Sequence, residues 1–221
     1  MFTGIVQTIG TLESMQSRGE GATLRIGVPK AFGLRQKVAL GDSIASNGVC
    51  LTVTGLDGDS YTADLSYETL RSSAFAFYKV GQPLNLELAC TPSTHLGGHI
   101  MQGHVDGVGE IIKVATQAEA LDIFIRCPDE LLRYMAPKGS IAVDGVSLTI
   151  NELLGQDLRL TLIPHTQREV NIQVWQVGYK VNLEADVLAR YLERLLQVKS
   201  ATPDVKDQPL TLKSLLENGF L

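Results

Sequence analysis

The chain is short of several things that would point elsewhere. It has three cysteines in 221 residues, Cys50, Cys90 and Cys127, an odd number with no C-x-x-C spacing. That excludes a disulfide framework and the usual structural zinc motifs, and it fits a reducing cytoplasm. It has no excess of positive charge: 19 Lys and Arg stand against 24 Asp and Glu, a net of −5, with no basic cluster. Such a balance excludes the electrostatic footprint of a nucleic-acid binder. No apolar run approaches the roughly 18 residues of a membrane helix. The first twenty residues hold a single basic residue, Arg18, and no compact apolar stretch, so no secretory signal is expected. What remains is an ordinary soluble composition, 44% apolar and 19% charged, long enough for one large domain or two of about 100 residues.

What is present is a duplication. NGVCLTV at 47–53 returns as DGVSLTI at 144–150, an offset of 97 from Gly48 to Gly145. At that offset Thr69 meets Thr166, Val80-Gly81 meets Val177-Gly178, and Asn85-Leu86-Glu87 meets Asn182-Leu183-Glu184. Nearer the start the offset becomes 99, and Gly4, Val6, Gly10 and Pro29 meet Gly103, Val105, Gly109 and Pro128. The period is too long for a solenoid, so each copy is expected to be a small domain.

Within each copy, short alternating or apolar runs are separated by turn residues, as in Gly4–Leu12, Thr23–Val28, Gly48–Leu56, Ser60–Leu65 and Pro83–Ala89. Asp57-Gly58 carries a hairpin signal, and Gly155 stands in its place in the second copy. About six short strands per copy predict an all-β fold of two similar closed barrels. Short helices are predicted over Pro29–Gln36 and Pro128–Met135, each opening on proline. From Asp186, a plausible N-cap, the period turns helical, with Leu188, Tyr191, Leu195 and Val198 flanked by Val187, Leu192 and Leu196. That stripe is wide for one barrel to cover, so a subunit interface is as reasonable as packing on its own barrel. The expected division is a barrel over 1–98, a second over 99–185, a helix over 186–199, and a linker with a short tail over 200–221.

Chemistry-bearing residues recur at matched positions. Cys50 falls in a strand-like stretch and its counterpart is Ser147, so two otherwise similar barrels would treat a common ligand differently there. A free cysteine is more often a small buried hydrophobe. His104 replaces Ile5 of the first copy beside an aligned glycine. His95 and His99, four apart, could share a metal on a helix, but Gly97-Gly98 argues against a helix. Gly107-Val108-Gly109 lacks the third glycine and the strand–helix context of a dinucleotide site. The stretches Asp64–Thr69 and Ile163–Arg168 correspond, and paired loops at barrel mouths are where small molecules bind.

Taken together, MFTGIV at the start, NGVCLTV, GGHIMQGHVDGVG and KGSIAVDGVSLT resemble the riboflavin synthase family of the alpha-chain type, over about residues 1–195. The resemblance implies two six-stranded barrels, a C-terminal helix and a homotrimer. Each barrel would bind one 6,7-dimethyl-8-ribityllumazine. One molecule would pass a four-carbon unit to another, giving riboflavin and 5-amino-6-(ribitylamino)uracil, with neither metal nor redox cofactor. Such a reaction suits a duplicated site, because holding both molecules together supplies as much as about 7–11 kcal/mol of the barrier. By motif, the first-barrel site would comprise Gly4, Ile5, Val6, Cys50, Leu51, Thr52, Asp64, Leu65, Ser66, Tyr67, Glu68 and Thr69. The second would comprise Gly103, His104, Val105, Lys138, Ser147, Leu148, Thr149, Ile163, Pro164, His165, Thr166, Gln167 and Arg168. Ser43, Cys50, His104 and Ser147 are the residues expected to carry catalysis, at a site between the first barrel of one subunit and the second of a neighbour. Residues 167–174 depart from the family pattern and the tail from 199 lies outside it. A non-catalytic lumazine- or flavin-binding protein would share the repeats; Cys50, His104 and Ser147 favour the enzyme. A flavin-dependent oxidoreductase on a similar barrel lacks support, since no nucleotide-binding unit follows.

Overall fold

A computed structural model of the chain describes residues 1–201 and Leu216. The first copy contributes strands β1 (Thr8–Arg18), β2 (Gly21–Gly27), β3 (Ser43–Ser46), β4 (Val49–Asp57), β5 (Ser60–Leu65) and β6 (Pro83–Leu88). The second contributes β7 (Gly107–Gln117), β8 (Ala120–Arg126), β9 (Ser140–Val143), β10 (Val146–Leu154), β11 (Asp157–Leu162) and β12 (Lys180–Ala185). Each set closes into an antiparallel barrel. The first runs β1-β2-β5-β4-β3-β6 and the second repeats that order. The expected all-β fold of two six-stranded barrels is therefore the observed one.

Alternation decides which residues enter each barrel. In β4, Val49, Leu51 and Val53 are buried while Thr52 and Thr54 face out. In β10, Val146, Leu148 and Ile150 are buried while Thr149 and Asn151 face out. Cys50 and Ser147 are on the outward face, half-buried. Even the irregularities are duplicated: register shifts fall between Leu12 and Ser14 and between Ile111 and Lys113. Others fall between Val53 and Gly55 and between Ile150 and Glu152. Each barrel fills its own interior, the first around Leu24, Tyr61, Phe75 and Leu84, the second around Ile111, Ile125, Leu160 and Trp175.

Helices close the barrels briefly: α1 (Leu34–Lys37), α2 (Tyr67–Ser72), α3 (Asp129–Leu132) and α4 (Pro164–Glu169). The helix predicted over Pro29–Gln36 is split, because Gly33 takes a left-handed conformation between a 3-10 turn and α1. The stretches expected as mouth loops contain α2 and α4. Ser66 caps α2 by accepting from the Thr69 backbone N–H at 3.0 Å.

The barrels meet through a buried polar lattice that obeys the repeat. The backbone N–H of Asn85 donates to Asn47 Oδ1 (2.7 Å), and that of Asn182 donates to Asp144 Oδ1 (2.8 Å). Asn85 Nδ2 reaches the Asp144 carbonyl (2.9 Å), and Asn182 Nδ2 reaches the Asn47 carbonyl (2.8 Å). Tyr78 OH accepts from Asn47 Nδ2 and donates to Asp144 Oδ1. Burial pushes the Asp144 carboxyl up to about 7. At the centre the two hairpin turns touch: a Cβ on Gly48 would lie 2.7 Å from Gly145 N, and the reverse is also 2.7 Å.

The last helix, α5, spans Val187–Ala201. Its Leu188, Tyr191, Leu192, Leu195 and Leu196 are exposed, at 60–64% of their surface. The side chain of Val198, and the linker and tail expected beyond α5 apart from Leu216, lie outside the described residues.

Candidate functional site

The chain enters each barrel through a segment that first serves the other one. Residues 2 and 101 pair as an antiparallel bridge, Phe2 N–H to Met101 O at 2.8 Å and Met101 N–H to Phe2 O at 3.1 Å. From that bridge the segments diverge. Gly4 accepts, through its carbonyl, the Ser147 backbone N–H (2.9 Å), and Gly103 accepts the Cys50 backbone N–H (2.9 Å). Both glycines have positive φ, +77° and +76°, and both lack room for a side chain. A Cβ on Gly4 would lie 2.6 Å from Ser147 Cβ, and one on Gly103 would lie 2.6 Å from Cys50 Cβ.

This corrects the grouping expected from the motifs. Gly4, Ile5 and Val6 do not join Cys50, and Gly103, His104 and Val105 do not join Ser147; the two triplets are exchanged. Within the run Gly4–Leu12, β1 begins only at Thr8: Gly4–Val6 are occupied at the second barrel, and the chain rejoins the first at Gln7, whose N–H donates to Leu86 O at 2.9 Å.

Two cavities result. One, of about 280 Å³, lies between Cys50, the α2 residues Glu68, Thr69 and Ser72, and the crossing residues Gly103, His104 and Val105. The other, of about 370 Å³, lies between Ser147, the α4 residues His165, Thr166 and Glu169, and Gly4, Ile5 and Val6. They are the same construction at matched positions with different chemistry. Cys50, Glu68, Ser72 and His104 in the first stand where Ser147, His165, Glu169 and Ile5 stand in the second.

Other residues named from the motifs fall around these cavities. Leu51 and Leu148 point inward and belong to the barrel cores. Thr52 and Thr149 are on the outward face beyond Cys50 and Ser147, and Ser43 is the cross-strand partner of Thr52. Asp64 accepts from Thr23 Oγ1 (2.6 Å) and pairs with Arg18 (3.3 Å), while Leu65 is core. Ser66 is a cap and Tyr67 is exposed. Ile163 and Pro164 open α4; Gln167 donates to the Glu119 and Leu162 carbonyls, and Arg168 is exposed. Lys138 sits at φ +66° before β9, its N–H donating to Ile150 O. None of these side chains lines either cavity.

The residue sequence reasoning undervalued is His99. It is 8% exposed, and its Nδ1 lies 2.7 Å from Ser147 Oγ. Its Nε2 is buried with no protein hydrogen-bond partner. Burial holds the imidazole below its ordinary range, against the pull of Asp186, and so favours its neutral form. His95 is exposed. A neutral histidine against a serine hydroxyl at a cavity wall can accept a proton; a thiol facing the other cavity can add to an electrophilic carbon.

The lumazine binding domain model matches this chain twice, over residues 3–89 and 102–186. The riboflavin synthase of Photobacterium phosphoreum is 48% identical over 221 residues, the whole of both chains. The chain belongs to the riboflavin synthase family. The riboflavin synthase of Bacillus subtilis (strain 168) is 39% identical over 220 residues, again covering both chains fully. That of Schizosaccharomyces pombe is 39% identical over 203 residues, 91% of this chain and 96% of the relative. Among solved structures, LumP complexed with riboflavin superposes with a TM-score of 0.78 at 25% identity, covering 84% of this chain and 99% of that one. The chain is thus an enzyme of the riboflavin synthase kind, with two lumazine-binding repeats.

Proposed function

We infer that the chain carries out the dismutation of 6,7-dimethyl-8-ribityllumazine, one molecule giving four carbons to a second to form riboflavin and 5-amino-6-(ribitylamino)uracil. Two identical substrates supply every atom of both products, so the balance calls for no external oxidant or reductant. The observation that carries the reading is the pair of matched cavities with unmatched reactive groups. Identical ligands suit matched walls; unequal roles suit Cys50 on one side and Ser147 with His99 on the other. In this reading Ser147 Oγ takes a proton from the acidic 7-methyl group of one lumazine as it passes its own to His99 Nδ1. The Cys50 thiol, or a water beside His104, adds at ring carbon 7 of the other. Thr69 and Thr166 stand at corresponding places on α2 and α4 to orient the two ligands, and Ser43 supports the face that carries Cys50.

The two molecules must also meet. The exposed apolar side chains of α5 support a homotrimer built on that helix, in which the first cavity of one subunit faces the second cavity of the next. The acidic composition and reduced cysteines suit the cytoplasm. Purified protein incubated with the lumazine and a chelator should form riboflavin, followed by absorbance. A requirement for added metal or nicotinamide would overturn the reading. Tight binding without turnover would favour a lumazine- or flavin-carrying protein, the role to which the LumP likeness points.

A further inference from the structure

Each barrel ends on a strand that carries a buried glutamate, and neither glutamate faces an Arg or Lys among its hydrogen-bond partners. Glu184 on β12 accepts from the backbone N–H of Gln102 (2.6 Å) and of Gly103 (2.9 Å). Glu87 on β6 accepts from Thr3 N–H (2.6 Å), Thr3 Oγ1 (2.7 Å) and Gly4 N–H (3.0 Å). Both are at most 5% exposed. Successive backbone N–H groups converging on one carboxylate form an anion nest, and the positive φ of the glycine is what lets them converge. A buried carboxylate held only by uncharged donors costs desolvation, so its return has to be sought in what it fixes. What each fixes is the crossing segment. Glu184 holds 102–103, whose Gly103 carbonyl seizes the Cys50 N–H and whose next residue, His104, lines the first cavity. Glu87 holds 3–4, whose Gly4 carbonyl seizes the Ser147 N–H beside the second cavity.

We propose that Glu184 and Glu87 are positioning residues that act across the barrel boundary: Glu184, in the second barrel, sets the first cavity, and Glu87, in the first barrel, sets the second. Glutamine at either place turns one oxygen into an amide N–H₂ facing an N–H, so one bond of each nest is lost while the shape is kept. A role confined to the glutamate's own barrel would loosen the cavity of that barrel instead. The location of the damage therefore separates the two readings. The ligand arm of the test rests on the functional reading above; the ligand-free arm does not.

The test is hydrogen–deuterium exchange of the full-length protein, read on peptides covering Cys50 and Ser147, with and without 6,7-dimethyl-8-ribityllumazine. E184Q should speed ligand-free exchange at Cys50 by roughly five- to tenfold and leave Ser147 as in the wild type. E87Q should do the reverse. Bound lumazine should protect both peptides in the wild type, only the Ser147 peptide in E184Q, and only the Cys50 peptide in E87Q. In each variant the spared cavity serves as the folding control, and Glu184→Asp, which keeps the charge, substitutes if E184Q does not fold. Damage confined to the glutamate's own barrel, or equal at both peptides, overturns the proposal. If lumazine protects neither peptide in the wild type, the functional reading fails, and the ligand-free exchange alone decides the crossing.

Discussion

Replacing Gly103 by alanine should empty the first cavity of function while both barrels stay folded. Gly103 sits at φ +76°, where an L side chain costs about 1–2 kcal/mol. The added methyl would lie 2.6 Å from Cys50 Cβ, 2.9 Å from Cys50 N and 3.0 Å from Phe2 Cε2. Those are wall atoms of a strand and a buried ring, not the ends of flexible side chains, so overpacking adds about 1–3 kcal/mol. The cheapest relief is for residues 102–105 to lift away from β4. That breaks the Gly103 O to Cys50 N–H bond and withdraws His104 from the cavity. Gly81 provides the matched control: its φ is +91°, and a Cβ there meets nothing within 4 Å. Gly81→Ala carries the backbone strain without the crowding. Urea denaturation should place Gly103→Ala about 1–3 kcal/mol below Gly81→Ala. Lumazine binding at the first cavity should weaken at least about tenfold, an effect worth about 1.4 kcal/mol. If the two variants were equally stable and bound lumazine equally well, the crossing segment would not be shaping the cavity.

Asp144→Asn should remove a pH dependence: a carboxyl raised to about 7 in the fold and near 3.9 when unfolded binds more protons folded, so its contribution is full below about pH 4 and fades as pH rises through 7. Wild-type stability should therefore fall between about pH 4 and 7 by up to about 1.4 kcal/mol per unit from this group and level off above, and guanidinium midpoints of the variant should fall less. His99→Asn and Ser147→Ala should each slow turnover strongly and the double variant little further, because the two act as one unit; additive losses in a kinetic double-mutant cycle would separate them. Cys50→Ala should lower turnover more than Ser147→Ala lowers lumazine affinity, as read by kinetics and fluorescence titration side by side. A chain ending at Glu184 should still bind lumazine yet be monomeric and nearly inactive. In the proposed trimer, burying Leu188, Leu192, Leu195 and Leu196 would contribute about 1.5–3 kcal/mol each, and light scattering would show an intact trimer if the barrels alone made the interface.

The barrels were legible because alternation and turn residues are local signals and the duplication doubles them. Cys50 and Ser147 stood out as a difference between aligned copies. What the sequence could not show is which copy receives the segments before β1 and β7. Gly4 aligns with Gly103 whether each segment serves its own barrel or the other, since alignment carries no information on partners. His99 was hidden for a similar reason: it has no counterpart in the first copy, and its significance depends on Ser147, 48 residues away. Glu87 and Glu184 did carry a signal. A glutamate kept at the same place in two apolar strand ends, within Asn-Leu-Glu, is an unusual thing to bury, and it marks a fixed acceptor. The short strand β3 escaped notice because four residues give too little alternation to count.

The touching glycines, Gly48 and Gly145, lie where a two-fold axis would pass between two copies of a single barrel. A one-barrel ancestor would complete its pockets only as a pair, each partner lending its leading segment to the other. In such a pair every residue is written once and read twice, so both pockets would carry cysteine or both serine. With both copies in one chain, each pocket has its own spelling. In the joined chain one wall can hold a thiol while the other holds a hydroxyl with a histidine at its back, so two like pockets need not be given like tasks.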